Sequence, residues 1–270
     1  MKLPGGVFLN FSRPLVMSVV NCTPDSFFPP SRTAGPEEAA EAALKAEAEG
    51  ADIVDFGAES TRPGAGFVDE EEEIRRLIPA LRSFRRRSAL PLSVDTRRAA
   101  VARLALDEGA DIINDISAFA DPAMIPLCTE RKAALVIMHG YTVTPAAAGS
   151  DIAENVGSFL IKAAEKAAAG GIAKEKIIID PGFGFGKSTA ENSLLLNRLA
   201  IMDRGDYPLL VGVSHKRFIG EITGRETEER LGGTLAASVI AILRGADIIR
   251  AHDTTYTADM LQMLKALDCF

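Results

Sequence analysis

The sequence predicts a (β/α)8 barrel, and three observations carry that prediction. A short phrase recurs at Gly50-Ala51-Asp52-Ile53-Val54, Gly109-Ala110-Asp111-Ile112-Ile113 and Gly245-Ala246-Asp247-Ile248-Ile249. Each copy closes an Ala/Leu/charge-rich helical stretch with a glycine, which supplies a left-handed stop, and opens an apolar β-branched run that reads as a buried strand. The copies start 59 and 136 residues apart, close to two and four βα units of roughly 30–34 residues. A chain of 270 residues has room for about eight such units.

The remaining elements fall between the copies. Apolar runs predict strands at 16–20, 51–56, 92–94, 111–113, 134–138, 176–179, 209–213 and 247–249. Helical composition alternates with them at 36–49, 70–85, 97–108, 122–131, 152–169, 190–202, 228–244 and 257–267. Strict alternation implies parallel strands joined by right-handed crossovers. An open doubly wound sheet is the alternative. It is disfavoured because no Gly-x-Gly-x-x-Gly follows the first strand and no linker marks a midpoint. One domain over residues 1–270 is the expectation.

Composition narrows the class of function. With 47% apolar and 25% charged residues and a mean hydropathy of +0.11, the chain is not disordered. No apolar run approaches the roughly 18 residues of a membrane span, and residues 1–10 lack the apolar core of a secretory signal. Cys22, Cys128 and Cys269 have no metal or redox spacing, which fits a reducing cytoplasm. A net charge of −7 argues against non-specific nucleic-acid binding.

In a barrel the chemistry sits where strands end and βα loops begin. Those positions carry Asn21 after the first strand, Arg62 after the second, Asp95 after the third and Asn114-Asp115 after the fourth. Met138-His139, Asp180 with its Gly-rich run to Lys187, Ser214-His215-Lys216-Arg217, and Arg250-Ala251-His252-Asp253 follow. A single such residue more often caps a helix than binds a ligand, but eight ends converge on one face. Asp95, Asn114 and Asp180 are short acceptors that suit a ligand edge rich in N–H donors, such as an amino-pyrimidinone ring, with Lys216 as the matching donor. Arg250 and His252 are two apart and share one face of an extended strand, an arrangement fit for gripping an anion. The alternative for Arg250 is an ion pair with Asp95 or Asp180. The loops holding Phe27, Phe28 and Phe67 are long, Pro/Gly-marked and aromatic, as expected of lids.

These motifs resemble the dihydropteroate synthase family. The resemblance rests on Asn-x-Thr-Pro-Asp-Ser-Phe at 21–27, Glu-Ser-Thr-Arg-Pro-Gly at 59–64, Asp-Thr at 95–96 and Asn-Asp at 114–115. It continues through Asp-Pro-Gly-x-Gly-Phe-Gly-Lys at 180–187, Phe-Ile-Gly at 218–220, Gly-Thr-Leu-Ala at 233–236 and Arg-x-His-Asp at 250–253. It implies a barrel enzyme of folate biosynthesis, a sulfonamide target, that joins 6-hydroxymethyl-7,8-dihydropterin pyrophosphate to para-aminobenzoate and releases pyrophosphate. By the same resemblance Asp95, Asn114, Met138, Asp180 and Lys216 hold the pterin, and Asn21, Arg62, Arg250 and His252 the pyrophosphate. Mg2+ is the implied cofactor, with Asn21 as its ligand. Phe27, Thr61, Pro63, Phe185, Lys216 and Arg217 correspond to the aminobenzoate surroundings. Asp95, Lys216, Arg250 and His252 are the catalytic candidates, and a homodimer through the later helices is implied.

The sequence departs from the family pattern at His215, where an Arg is common, at Phe28-Pro29-Pro30, at Ala58 and in the short Met138-His139-Gly140 stretch. Two other classes compete. A pterin-dependent methyl-transfer barrel would not need the Arg250/His252 pair or both aromatic lids. A non-catalytic pterin sensor would have no use for Asn21, Arg62 and His252.

Overall fold

The computed structural model describes residues 1–22, 35–59, 68–140 and 151–270. The order is β1 (Leu15–Asn21), α1 (Pro36–Ala48), β2 (Ile53–Gly57), α2 (Glu70–Arg85), β3 (Leu92–Asp95), α3 (Ala99–Asp107), β4 (Ile112–Asp115) and α4 (Met124–Arg131). Then come β5 (Ala134–Met138), α5 (Ile152–Ala169), β6 (Ile177–Asp180), α6 (Thr189–Asn197), β7 (Leu210–Val211), α7 (Arg217–Thr223), α8 (Leu231–Leu243), β8 (Ile248–Ala251) and α9 (Thr254–Ala266). The strands form one parallel sheet in the order β6-β5-β4-β3-β2-β1-β8-β7. A parallel bridge between Ile179 and Leu209 joins the two ends and closes the barrel.

The expected alternation holds, with differences at the margins: the strand expected over 209–213 is Leu210–Val211 only, and the helix expected from residue 257 begins at Thr254. The helix α7 was not expected; it is a short segment directly after a polar loop, too brief for a periodic pattern to stand out. The helix expected over 190–202 stops at Asn197 and passes into a 3-10 turn, Leu199–Ile201. The one expected from residue 228 begins at Leu231, because Thr227–Glu229 is a separate 3-10 turn.

Successive side chains alternate between the barrel interior and the helical layer. The lower interior is apolar: Met17, Ile53, Ile112, Val136, Ile178, Leu210 and Ile248 pack together, plugged from below by Leu3 and Leu9 of the N-terminal segment. One step further along, the same inward positions become Asp55, Asp95, Asn114, Asp180 and Arg250. The register places Gly57 beside Asp95 and Asp95 beside Asn114, and Met138 beside Asp180. The switch from apolar to polar inward residues is what turns a filled core into a pocket floor.

The recurring aspartates serve the opposite end. Asp52 accepts the Val16 backbone N–H at 2.9 Å and pairs with Arg13. Asp111 accepts the Leu92 and Gly5 N–H groups, each at 3.1 Å, and pairs with Arg85 at 2.9 Å. Asp247 accepts the Leu209 N–H at 2.8 Å and pairs with Arg204 at 2.5 Å. Each copy thus ties the start of its own strand to the start of the preceding neighbour in the ring. Asp111 is the most buried of the three, and its loss leaves two backbone donors unpaired and removes the carboxylate paired with Arg85, which keeps its bonds to the Ser88, Leu90 and Gly109 carbonyls. Asp111→Ala is expected to cost about 2–4 kcal/mol, read as a lower urea midpoint, with ligand affinity little changed because the clasp lies at the far end of the barrel.

Candidate active site

The site grows from the inward ends of β2, β3, β4, β6 and β8. Arg250 lies at its centre. Its Nε donates to Asp55 Oδ2 at 2.7 Å and its Nη2 to Asp95 Oδ2 at 3.0 Å. Asn114 Nδ2 donates to the same Asp55 oxygen at 3.1 Å. A carboxylate only accepts, so this bond fixes the amide and turns Asn114 Oδ1 away as a buried acceptor with no partner among the described residues. Asp180 receives the Gly182 N–H at 2.7 Å. Of the two sequence readings for Arg250, the ion pair is present, with Asp95 as one partner; the other partner is Asp55 rather than Asp180.

Burial sets the protonation of this cluster. It pushes Asp95 up to about 7, the Arg250 charge pulling in the opposite direction. Burial also raises Asp180, against the Gly182 hydrogen bond and the Lys216 charge. Lys216 is brought down to about 8, by burial first and Arg250 second, with Asp180 and Asp95 opposing. Its ammonium rests 4.3 Å from the centre of the Phe185 ring, a cation–π seat, so it is not a solvated loop cation.

His252 is the second half of the strand-eight pair. Its Nδ1 is 2.9 Å from Ser214 Oγ, and that oxygen also accepts the His252 backbone N–H at 3.3 Å. Burial, followed by the charges of Arg250, His215 and Lys216, holds its pKa well below the ordinary histidine value, so the ring is neutral.

The loop after β6 is held by a lysine of its own. Lys187 Nζ donates to the carbonyls of Gly182 at 2.8 Å, His139 at 3.2 Å and Phe185 at 3.3 Å. Gly182 has φ +67, and a Cβ there would lie 2.1 Å from the His139 carbonyl oxygen, so only glycine lets the β5 and β6 ends approach. That approach seats buried Met138 beside Asp180. Asp115 points the other way. It accepts from Ser117 N, Ser117 Oγ and Phe119 N, pinning a turn in which Ala118 and Phe119 both have positive φ.

The structure therefore brings together Asp95, Asn114, Asp180, Lys216, Arg250 and His252, with Met138 and Phe185 alongside. Asn21 ends β1, level with Gly57. Arg217 stands apart as an exposed first residue of α7, paired with Glu221 at 3.3 Å. Phe27, Thr61, Arg62 and Pro63 lie outside the described residues. Sequence reasoning missed Asp55 and the bracing role of Ser214. For Asp55 the signal was present: an acid two residues before the strand end, inside the otherwise apolar run Ile53-Val54-Asp55-Phe56.

A family model described as "Pterin binding enzyme" matches residues 17–252. Dihydropteroate synthase of Escherichia coli (strain K12) is 39% identical over 265 residues, covering 97% of this chain and 94% of that protein. The chain belongs to the dihydropteroate synthase family. A solved dihydropteroate synthase from Xanthomonas albilineans, with 4-aminobenzoic acid, superposes with a TM-score of 0.90 at 42% identity, over 97% of this chain and 96% of that one. The family also includes an inactive dihydropteroate synthase 2 of Mycobacterium leprae (strain TN), 38% identical over 94% of this chain and 91% of that protein.

Proposed function

We propose that residues 1–270 act as a single-domain dihydropteroate synthase, using the Arg250-centred cluster to bind the pterin and to release pyrophosphate. The observation that carries this reading is the inward acceptor set Asp95, Asn114 Oδ1 and Asp180 beside Lys216, a match in hydrogen-bonding sense to an amino-pyrimidinone edge. Asp95 and Asp180 accept ring and exocyclic N–H groups, Asn114 Oδ1 accepts another, and Lys216 donates to the ring carbonyl or nitrogen. Met138 packs against the ring.

Arylamines are weak nucleophiles, so the reaction depends on departure of the leaving group. The methylene carbon–oxygen bond of the pterin substrate breaks, its electron pair leaves with pyrophosphate, and the methylene carries cationic character. The aminobenzoate nitrogen then forms the new C–N bond and loses a proton. Asp95 and Asp180, when ionised, face the bound pterin and favour positive charge on it. On the leaving-group side, Ser214 Oγ holds His252 Nδ1 at 2.9 Å, and we take the tautomer in which the Ser214 hydroxyl donates to Nδ1. The neutral imidazole then carries its proton on Nε2 and donates it to a phosphoryl oxygen. Arg250 adds charge at the same corner, and Arg62 is assigned there with it. Phe185 and Lys216 border the aminobenzoate, with Phe27, Thr61, Pro63 and Arg217 placed around it.

Among the described residues no group of three His, Cys, Asp or Glu side chains gathers to hold a metal. Asn21 at the end of β1 carries a hard amide oxygen, a donor that suits Mg2+, which completes its shell with phosphate oxygens and water. Bound there with the substrate, Mg2+ would neutralise charge on the departing pyrophosphate. No helix among the described residues is long and apolar enough to cross a membrane; a cytoplasmic homodimer is the assignment proposed.

Incubation with the two substrates and Mg2+ is expected to release pyrophosphate and form 7,8-dihydropteroate in equal amounts. Pterin binding without pyrophosphate release would overturn the synthase reading in favour of a sensor barrel.

A further inference from the structure

Three consecutive residues leave β7 with three different tasks. Ser214 braces His252, Lys216 enters the pocket, and between them His215 turns away from the pocket with φ +52, an uncommon conformation for a residue with a side chain. The turn is held at both backbone groups. His215 N donates to Thr234 Oγ1 at 3.1 Å, and its carbonyl accepts from Arg230 Nη1 at 3.0 Å. The ring is only 1% exposed.

Both ring nitrogens face acceptors. Nδ1 lies 2.7 Å from the Thr227 carbonyl oxygen and Nε2 lies 2.6 Å from Asp253 Oδ2. A carbonyl and a carboxylate cannot donate, and a neutral imidazole carries one N–H. One of the two contacts would then set lone pair against lone pair. Turning the ring over puts carbon atoms where the nitrogens are and loses both bonds. The geometry is satisfied by the imidazolium.

We propose that His215 is a positioning residue, a doubly protonated strut that ties the β7 end to the β8 end and so holds Lys216 and His252 in place for the anionic part of the substrate. This rests on the assignment of that corner to pyrophosphate. Asp253 follows His252 directly, so the strut fixes the backbone on both sides of the pocket corner. Loss of the ring proton releases one end and lets the two loops separate.

Among the described residues, the titratable and charged groups beside the ring are Asp253 from the β8 end, Arg230 ahead of α8 and His252 at 6.1 Å between ring centres, while Lys216, the chain neighbour of His215, points into the pocket. Burial lowers the His215 pKa, but the Asp253 bond, the Thr227 carbonyl and the Asp253 charge outweigh it against Arg230, and the net direction is up. A raised value means that the strut is present on the acid side and is lost as pH rises through the folded-state value.

Nitrogen-15 spectra of histidine-labelled protein test this directly, since the chain has three histidines and His215→Gln assigns the signal. Both His215 nitrogens are expected in the protonated imidazolium position at neutral pH, with His139 and His252 neutral. A single-tautomer neutral pattern for His215, matched by a protonated Asp253, overturns the proposal and needs no variant to fold. The second arm is calorimetric affinity for inorganic pyrophosphate against pH, in wild type and in His215→Arg. The Arg variant keeps a permanent cation there and carries the same Lys216, so comparison in the same buffers cancels the titrations of Lys216 and of pyrophosphate itself. Wild type is expected to lose roughly tenfold more affinity than His215→Arg, starting at the pH where the nitrogen signals move. Identical profiles overturn the proposal. A normal His215 signature in a protein that forms no dihydropteroate would instead count against the reaction assigned above.

Discussion

Arg250→Ala is expected to unfold the protein more readily and to cost it most of its turnover. The guanidinium neutralises Asp55, which is fully buried, and Asp95 beside it. Removing one partner of a buried pair leaves an uncompensated charge, worth about 3–5 kcal/mol. The same side chain is assigned to the developing charge on pyrophosphate, so the rate is expected to fall roughly a hundredfold or more. Arg250→Lys separates the two effects. A lysine keeps the charge but reaches only one carboxylate at a time, so stability is expected to recover in part while turnover stays low. Denaturant unfolding and pyrophosphate release, measured side by side, check both. Near-normal rates in Arg250→Ala would contradict the site as drawn.

Asp95→Asn carries the second large effect, a loss of about two to three powers of ten in turnover. Asparagine preserves the shape but offers one acceptor and no charge to the cationic pterin. The wild-type pH profile gives a sharper test. Burial holds Asp95 at about 7, and the ionised form is the one that acts, so kcat/KM is expected to fall as pH drops below about 7. In Asp95→Asn that acid limb disappears. In Arg250→Ala it moves to higher pH, because the cation that opposes burial is gone. A limb that stays in place in both variants would remove Asp95 from the role given to it.

Much of this was legible in the amino-acid order because a closed barrel forces simple periodicities on it. Alternation by two decides that Asp95, Asn114, Asp180 and Arg250 face inward once the strands are placed, and the Gly-Ala-Asp phrases place the strands. Asp115, two residues from Ser117, looks like a site residue by position and is a turn cap by orientation, since it falls on the outward count. Asp55 escaped because attention to strand ends overlooks a carboxylate one step lower, where only the approach of Arg250 and Asn114 from other strands explains it. His215 reads in sequence as an exchanged cation and gains its meaning from Thr227 and Asp253, contacts that exist only after β7, α8 and β8 have packed. Phe27, Phe28 and Phe67, whose loops the sequence reads as lids, fall outside the described residues.

The three aspartate clasps at the base bear on which changes of chain length the barrel tolerates. Asp52 anchors the foot of β2 three positions ahead of Asp55, and the odd number of steps between them sets the face on which Asp55 emerges. Deleting one residue between them would leave the clasp closed and turn Asp55 out toward the helices, with Gly57 rotated away from Asp95. An insertion beyond Gly57 would leave that phase untouched. Lengthening is therefore tolerated above the strand ends, whereas between clasp and site even a single residue inverts the pocket floor.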